Sequence, residues 1–268
     1  MKLVWITDPH LDFVGELGLL ALAKDIRAHH PSALLVTGDL STANLLPKHL
    51  VWLRAAVTCP VYLVLGNHDF YGGTFEGVDG LVDELCARHP KFHHLGKGEI
   101  VRLDKDTALV GHRGWADGRA GSGMKSPVVL NDFVLIGNLR GLSQSKLFGE
   151  LAVLGDASAA YFRHLLPEAL ARFPHVFVMT HVPPFPQAAW HEGRASEPDY
   201  LPHFCNFAAG VAIAEMARKH PRSRITVLCG HTHGAGTVRI APNLVVHTGG
   251  AEYGHPAINR VFQLCAPV

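Results

Sequence analysis

Seven side chains of metal-binding type occur in five short groups along this chain of 268 residues. All seven are carboxylates, amides or imidazoles, a donor set that suits Mn, Fe, Zn, Co or Ni rather than Ca or a structural zinc cage. Seven candidate ligands are too many for one ordinary site, and a carboxylate shared between two ions would account for the excess. The candidates are Asp8, His10, Asp39, Asn67, His181, His231 and His233.

The spacing inside the groups favours convergence of the donors. Residues two apart in extended backbone point the same way, so Asp8 with His10, and His231 with His233, are each expected to face one side. Glycines at 38, 66 and 230 are expected to permit a sharp turn beside three of the groups. Any one group alone is more often a turn or a helix cap. Their occurrence together favours a single site.

Each group directly follows a short apolar run rich in β-branched residues. Such runs, separated by stretches of helical periodicity, predict strand-helix-strand units and a largely parallel sheet. Side chains at the carboxyl ends of parallel strands converge on one crevice, so the five groups are expected to meet there. The predicted strands span residues 3–7, 33–37, 61–65, 176–180 and 225–229.

The rest of the chain is predicted from periodicity and turn residues. Apolar residues at three- and four-residue spacing predict helices over 16–29, 45–57, 79–88, 157–173 and 207–220. Two hairpins, 100–103 with 107–110 and 236–240 with 244–247, make the sheet mixed. The aperiodic stretches 111–127 and 183–202 are predicted to be functional loops. No composition shift marks a boundary, so one domain over residues 1–268 is expected.

The ordered groups Asp-x-His, Gly-Asp, Gly-Asn-His-Asp, His and Gly-His-x-His resemble the pattern of the calcineurin-like metallophosphoesterase superfamily over residues 8–233. Within it, the chain looks most like the class III (cyclic nucleotide) phosphodiesterase branch. The resemblance implies an α/β fold in which a mixed, largely parallel β-sheet sandwich is flanked by helices in four αββα layers. It also implies a metal-dependent phosphoester hydrolase, a phosphodiesterase or phosphatase, with two divalent metal ions, of which Mn is favoured over Fe, Zn, Co or Ni.

The resemblance further implies a ligand set for each metal ion. One ion is expected at Asp8, His10, Asp39 and His233. The other is expected at Asp39, Asn67, His181 and His231, which makes Asp39 the bridge. Two cations about 3.5 to 4 Å apart would acidify a bridging water and offset charge on the attacking and leaving oxygens.

The resemblance implies that His68 contacts the phosphate and protonates the leaving oxygen, which its imidazole can do near neutral pH. Asp69 is a second catalytic candidate, and a carboxylate that stabilises the turn or orients a histidine is an equally supported interpretation. The chain departs from the family at one position. Many members carry an acidic residue three positions after the Asp of Gly-Asp, where it orients the catalytic histidine, and Thr42 stands there in this sequence. What orients His68 is therefore open.

The two aperiodic stretches supply the candidate substrate contacts Arg113, Trp115, Trp190 and His191. The expected substrate is a small-molecule phosphoester such as a cyclic nucleotide. One alternative is a nuclease acting on DNA or RNA, which the near-neutral composition disfavours because such enzymes need a basic groove. Another is a non-catalytic protein-binding scaffold of the same fold, which ranks last because no ligand of the motif is missing.

Composition sets the remaining expectations. With 48% apolar residues, 18% charged residues and a net charge of +1, the chain can bury a sizeable core and carries no overall footprint of a nucleic-acid binder. A short apolar N-terminus and the lack of a long apolar run predict a cytoplasmic protein without a membrane partner. Five widely spaced cysteines without a Cys-x-x-Cys pair predict reduced thiols. The oligomeric state is not indicated.

Overall fold

The computed structural model describes residues 1–264, and Cys265 lies outside the described residues. The strands, in chain order, are β1 (Lys2–Ile6), β2 (Ala33–Thr37), β3 (Val61–Val64), β4 (Phe92–His94), β5 (Val101–Arg102), β6 (Thr107–Gly111), β7 (His175–Met179), β8 (Trp190–His191), β9 (Arg194–Ala195), β10 (Arg224–Cys229), β11 (Gly236–Ala241), β12 (Leu244–Thr248) and β13 (Arg260–Gln263). The α-helices are α1 (Glu16–Ala28), α2 (Leu46–Ala56), α3 (Phe75–Ala87), α4 (Asp132–Leu135), α5 (Gln144–Arg172), α6 (Leu201–Phe204) and α7 (Phe207–Lys219).

The five predicted strands are present as β1, β2, β3, β7 and β10, each with ends within one residue of the prediction. Both predicted hairpins are also confirmed, because β5 pairs antiparallel with β6 and β11 pairs antiparallel with β12. The residue pattern alone indicated one mixed sheet, but the sandwich implied by the family resemblance is confirmed for these strands. They divide between two sheets, one with strand order β13-β1-β2-β3-β4 and the other with order β11-β12-β10-β7-β6-β5.

The two sheets pack face to face and share a core. Leu3 and Trp5 of β1 point to the same interior as Phe177 and Met179 of β7, whereas Val4 and its neighbours face the helices. Helices α1, α2 and α3 cover the outer face of the first sheet, and α5 and α7 cover that of the second. Strands covered on both faces must be apolar at successive positions, which is why they appear as continuous apolar runs. The fold has the expected four αββα layers.

Helix α5 is the largest departure from the predicted elements. It has 29 residues, and the predicted segment 157–173 covers only its second half. Gly149 and Gly155 weaken the helical pattern in the first half, although Leu147 and Leu151 are buried there at helical spacing. Among residues 1–264, no helix combines the length and apolar character needed to cross a membrane.

Candidate metal centre

The turns that follow β1 and β2 run side by side and bring Asp8, His10 and Asp39 together. The backbone N–H of Asp8 donates to the carbonyl of Gly38 at 3.1 Å, and that of His10 donates to the carbonyl of Asp39 at 3.1 Å. The second sheet meets this pair of turns from the other side, because the N–H of His231 donates to the Asp8 carboxylate at 2.9 Å. The candidate ligands at the carboxyl ends of the strands therefore come together from both sheets.

Five of the candidate ligands have left-handed backbone conformations. Their φ angles are 48° at Asp8, 41° at His10, 52° at Asp39, 70° at His231 and 59° at His233. The expectation that these pairs sit in extended backbone is therefore wrong. Left-handed conformations of residues with a Cβ cost of order 1 to 3 kcal/mol each, and they persist where the surroundings hold them. Residues 1–264 contain seven such positions in all, so the strain is concentrated in these turns.

The glycines beside the turns serve two different purposes. Gly38 has a φ of 96°, which glycine adopts without steric cost. Gly66 and Gly230 do not have positive φ, and they are needed for close approach instead. A Cβ on Gly66 would overlap a carboxylate oxygen of Asp39, and one on Gly230 would overlap Asp8.

A first group of donors consists of Asp8, His10, Asp39 and His233, whose ligand atoms all lie within 4.8 Å of one another. The Nε2 atoms of His10 and His233 are 3.0 Å apart. Asp39 Oδ2 lies 3.8 Å from Nε2 of His10, and Asp8 Oδ1 lies 3.6 Å from Nε2 of His233. These separations are typical of donors that share one cation.

A second group surrounds the side-chain oxygen of Asn67. His181 Nε2 lies 3.0 Å from Asn67 Oδ1, and His231 Nδ1 lies 2.9 Å from the same oxygen. Asp39 Oδ1 is 3.3 Å from His181 Nε2. The two oxygens of Asp39 thus face different groups, as a bridging carboxylate requires.

The hydrogen bonds behind the second group fix which atoms are acceptors. His231 donates its Nε2–H to the carbonyl of His203 at 2.9 Å, so its Nδ1 carries a lone pair. Asn67 donates its Nδ2–H to Asp132 Oδ1 at 2.8 Å, so Oδ1 is the amide atom that faces His231. Two acceptors 2.9 Å apart repel each other unless a cation lies beside both. His181 is fixed in the same way by a bond from Nδ1 to the carbonyl of Thr37 at 2.8 Å.

Burial sets the charge of the imidazoles. It lowers the pKa of His10 and of His231 to about 3, which leaves both rings neutral and able to bind a metal ion. Burial also opposes the charge of His181, but the carboxylates of Asp39 and Asp8 raise its pKa to about 10. A divalent cation would replace the proton on this ring.

His68 and Asp69 occupy different surroundings. The backbone N–H of His68 donates to Asp39 Oδ1 at 2.9 Å, and its ring lies 4.6 Å from the ring of His10, which places it at the junction of the two donor groups. Asp69 is fully buried and accepts the N–H of Gly66 at 2.8 Å and that of Ser41 at 3.0 Å. These contacts favour the interpretation of Asp69 as a turn-stabilising carboxylate.

The first aperiodic stretch does not present the expected substrate contacts. Trp115 is 3% exposed and packs in the core against Phe70 and Phe75, so the hypothesis that it contacts substrate is corrected. The guanidinium of Arg113 forms an ion pair with Asp79 and lies over the same two phenylalanine rings. Its charge is thus already matched within the fold.

Trp190 and His191 lie against the loop that carries His231 and His233. The carbonyl of Trp190 accepts the N–H of Gly234 at 3.1 Å, and His191 Nδ1 lies 3.1 Å from the carbonyl of Thr232. The half-buried indole of Trp190 occupies the space that a side chain at position 236 would need, so Gly236 allows this contact. Both residues therefore brace this loop, and His191 also keeps an exposed ring.

The structure adds neighbours of the site that the sequence did not identify. Asp132 and Tyr71 hold the amide of Asn67 from behind. Tyr253 places its ring 4.4 Å from that of His10, and Phe13 packs on Tyr253 at 4.8 Å. Phe13 is 57% exposed and Tyr253 is 43% exposed, so both rings face solvent beside the donors. No motif links either residue to the groups, since Asp132 begins the four-residue helix α4 and Tyr253 lies in an irregular segment.

Comparison with known proteins places this chain in a family. The profile of the calcineurin-like phosphoesterases matches residues 1–235. No curated protein sequence gave a significant match. A phosphopantetheinyl hydrolase from Mycobacterium tuberculosis is similar in structure, with a TM-score of 0.69, 16% identity and coverage of 94% of this chain and 90% of that chain. A dimetal phosphatase from Danio rerio has a TM-score of 0.58, 14% identity and coverage of 93% and 87%.

The likeness to these two solved structures is one of fold, and the family profile carries the assignment. The clustered aspartates and histidines suit the dinuclear divalent metal centre of a metal-dependent phosphoester hydrolase. With its profile matched from residue 1 to residue 235, this chain belongs to the calcineurin-like phosphoesterases.

Proposed function

We propose that this protein hydrolyses a small-molecule phosphoester with two divalent metal ions, one at Asp8, His10, Asp39 and His233 and the other at Asp39, Asn67, His181 and His231. Asp39 would contribute one carboxylate oxygen to each ion. When bound, the cations would supply a nucleophile from water at neutral pH and offset the charge that develops on the phosphate. Manganese is the first choice of ion for the test.

One observation carries this proposal. Asn67 Oδ1 and His231 Nδ1 lie 2.9 Å apart, and the hydrogen bonds that Asn67 Nδ2 and His231 Nε2 donate elsewhere leave lone pairs on both of these atoms. A buried contact of this kind is unfavourable in the protein alone, and a cation beside both atoms turns it into a pair of ligands. The first donor group supports the other ion, because its four ligand atoms lie within 4.8 Å of one another.

His68 is the proposed proton donor for the leaving oxygen. Its backbone N–H is bonded to Asp39, and its ring stands next to that of His10, so it lies beside both proposed ions. Asp69 is proposed to act on the reaction only through the backbone that it fixes, because both of its oxygens accept backbone N–H groups.

The surface around the site favours an organic ester with a planar group. Tyr253 and Phe13 present exposed rings next to His10, and Tyr253 lies 5.2 Å from the ring of His233. Aromatic side chains with one free face bind planar substituents by stacking. We propose that this pair receives the group esterified to the phosphate, which is compatible with the cyclic nucleotide branch and with other aryl or nucleoside diesters.

A substrate panel tests the function. The purified protein is stripped of metal, reloaded with Mn and assayed with bis-p-nitrophenyl phosphate, p-nitrophenyl phosphate, cyclic nucleotides, a phosphopantetheinyl diester and single-stranded DNA. We expect turnover of at least one small ester, lost on metal removal and reduced by His68→Ala. Fast cleavage of DNA with no small-ester turnover would favour a nuclease. A protein that binds Mn but turns over nothing would favour the scaffold.

A further inference from the structure

Within residues 1–264, no residue forms a hydrogen bond to either ring nitrogen of His68. Many members of the family have an acidic residue that orients this histidine, and Thr42 stands at that position here. The ring of Tyr71 instead lies 4.2 Å from that of His68 at an angle of 31°, and His10 approaches from 4.6 Å at 64°. The imidazole is therefore positioned by two neighbouring rings.

Tyr71 is itself held in place by a buried carboxylate. Its hydroxyl donates to Asp132 Oδ1 at 2.7 Å, and the same oxygen accepts the Nδ2–H of Asn67 at 2.8 Å. Asp132 is 4% exposed and Tyr71 is 9% exposed. One oxygen atom thus links the support of His68 to the support of Asn67.

Asp132 lies far from this region in the sequence, and backbone hydrogen bonds fix it there. The N–H of Gly72 donates to the carbonyl of Leu135 at 2.9 Å, and the N–H of Gly137 donates to the carbonyl of Gly73 at 2.9 Å. These bonds tie helix α4 to the turn that follows His68. The carboxylate is consequently part of a built contact and not a side chain that reaches the site by chance.

The chemistry of an amide explains why this contact matters. The oxygen and nitrogen ends of Asn67 have nearly the same shape, and only their partners decide which end faces the histidines. Asp132 Oδ1 accepts a hydrogen bond from Asn67 Nδ2–H, so it selects the nitrogen end of the amide and turns the oxygen towards His231. Without this acceptor the amide can turn over and donate to the histidines, which would fill the place of a metal ligand.

We propose that Tyr71 and Asp132 are positioning residues that together orient the amide of Asn67 for the second metal ion and the ring of His68 for proton transfer. The pair performs the orienting task for which position 42 has no acidic side chain. This inference rests on the function proposed above. It goes further because it gives each residue of this buried pair an effect that can be measured separately. Asp132 affects the affinity for the second metal ion, and Tyr71 affects protonation of the leaving group.

Manganese binding tests the Asp132 part without reference to turnover. Stripped wild type, Asp132→Leu, Asp132→Asn and the exposed control Asp156→Leu are titrated with Mn by equilibrium dialysis and metal analysis. Loss of a supporting hydrogen bond typically weakens a metal site about 10- to 100-fold. We expect that loss for the second ion only in Asp132→Leu, with recovery in Asp132→Asn, whose amide oxygen can accept the same two bonds. Asp132→Ala offers a second way to remove the acceptor if the leucine variant does not fold.

Leaving-group dependence tests the Tyr71 part. Tyr71→Leu should lower kcat at least tenfold for an ester with an alkoxide leaving group and much less for a p-nitrophenyl ester, whose departure needs little protonation. Tyr71→Phe keeps the ring but loses the bond to Asp132, so its rate should lie between those of the wild type and Tyr71→Leu. Equal losses for both esters, or two Mn bound with wild-type affinity in Asp132→Leu, would overturn the inference. If the wild type itself fails to bind two Mn or to turn over any ester, the proposed function fails instead.

Discussion

Nδ1 of His231 and Oδ1 of Asn67 face each other at 2.9 Å, and both are acceptors because His231 donates its Nε2–H to the carbonyl of His203. Metal binding should relieve this repulsion and stabilise the fold. Each ion at 100 times its dissociation constant adds about 2.7 kcal/mol to the free energy of unfolding. Urea unfolding with Mn and with a chelator measures the difference. His231→Gln is the control and should lose the part of the gain that comes from the ion at Asn67, His181 and His231. Equal midpoints of the wild type with Mn and with chelator would contradict the expectation.

Gly66 should tolerate no side chain. A Cβ there would lie 2.6 Å from the backbone nitrogen of Asp39 and would overlap its carboxylate, so Gly66→Ala must displace the bridging residue. We expect a loss of about 1 to 3 kcal/mol in stability and at least tenfold in kcat/KM. Gly80→Ala is the matched control, because Gly80 lies in α3 with no heavy atom within 4 Å of the added carbon. This control should be neutral or stabilising by up to about 1 kcal/mol.

Asp69→Asn separates a structural role from a catalytic one. The new amide group would point an N–H towards the backbone N–H of Gly66 or Ser41, leaving a buried donor unpaired at a cost of about 1 to 3 kcal/mol. We expect a lower unfolding midpoint, but a smaller loss of kcat than His68→Ala shows when both are assayed well below that midpoint. A variant as stable as the wild type that has lost all activity would support direct catalysis by Asp69.

Removal of the exposed rings should change substrate preference. Tyr253→Ala and Phe13→Ala are expected to raise KM about three- to tenfold for aryl or nucleoside esters, as the loss of one stacking contact predicts. Esters with short alkyl groups should be affected much less. Leu17→Ala is the control, since Leu17 is 84% exposed on the adjacent helix α1. A uniform change over all esters would exclude a role of these rings in recognition.

Stability should fall as the pH is lowered below 6.5. Burial and the neighbouring Arg224 lower the pKa of His175 from 6.5 to about 4, and burial and Arg113 lower that of His112 to about 3. As the pH falls, each histidine is protonated in the unfolded chain before it is protonated in the folded protein. Each therefore contributes stability above pH 6.5, and this contribution is lost as the pH falls from 6.5 to the pKa of the folded state. The slope approaches about 1.4 kcal/mol per pH unit for each group.

Urea unfolding between pH 7.5 and 5, in the presence of chelator, measures this slope. His175 Nδ1 accepts a hydrogen bond from Arg224 at 2.9 Å, and Nε2 lies 2.9 Å from Thr226 Oγ1, so the folded site requires a neutral ring. His175→Gln should reduce the slope by up to about 1.4 kcal/mol per pH unit, the contribution of one proton. An unchanged slope in this variant would show that other groups cause the acid sensitivity.

The sequence predicted the parts of the molecule that depend on local pattern. The apolar runs predicted β1, β2, β3, β7 and β10, and the polar residues at their ends converge. The division into two sheets has no local pattern, because a strand buried on both faces is apolar whether it packs on a helix or on a second sheet.

The parts that escaped prediction depend on distant contacts. Asp132 reaches Asn67 across 65 positions, and Tyr253 reaches His10 from an irregular loop. Trp115 was misinterpreted because an aromatic residue in a glycine-rich stretch has the same appearance whether it faces a ligand or the core, and here it faces the core.

The left-handed turns have a consequence for protein engineering. Histidine in this conformation costs about 1 to 3 kcal/mol that glycine would not, so His10→Gly or His233→Gly relaxes the backbone while deleting a donor. A library screened for heat resistance in chelating buffer would accumulate such inactive variants. Selection performed with Mn present would retain the histidines, since their contribution to ion binding then outweighs the relief of strain.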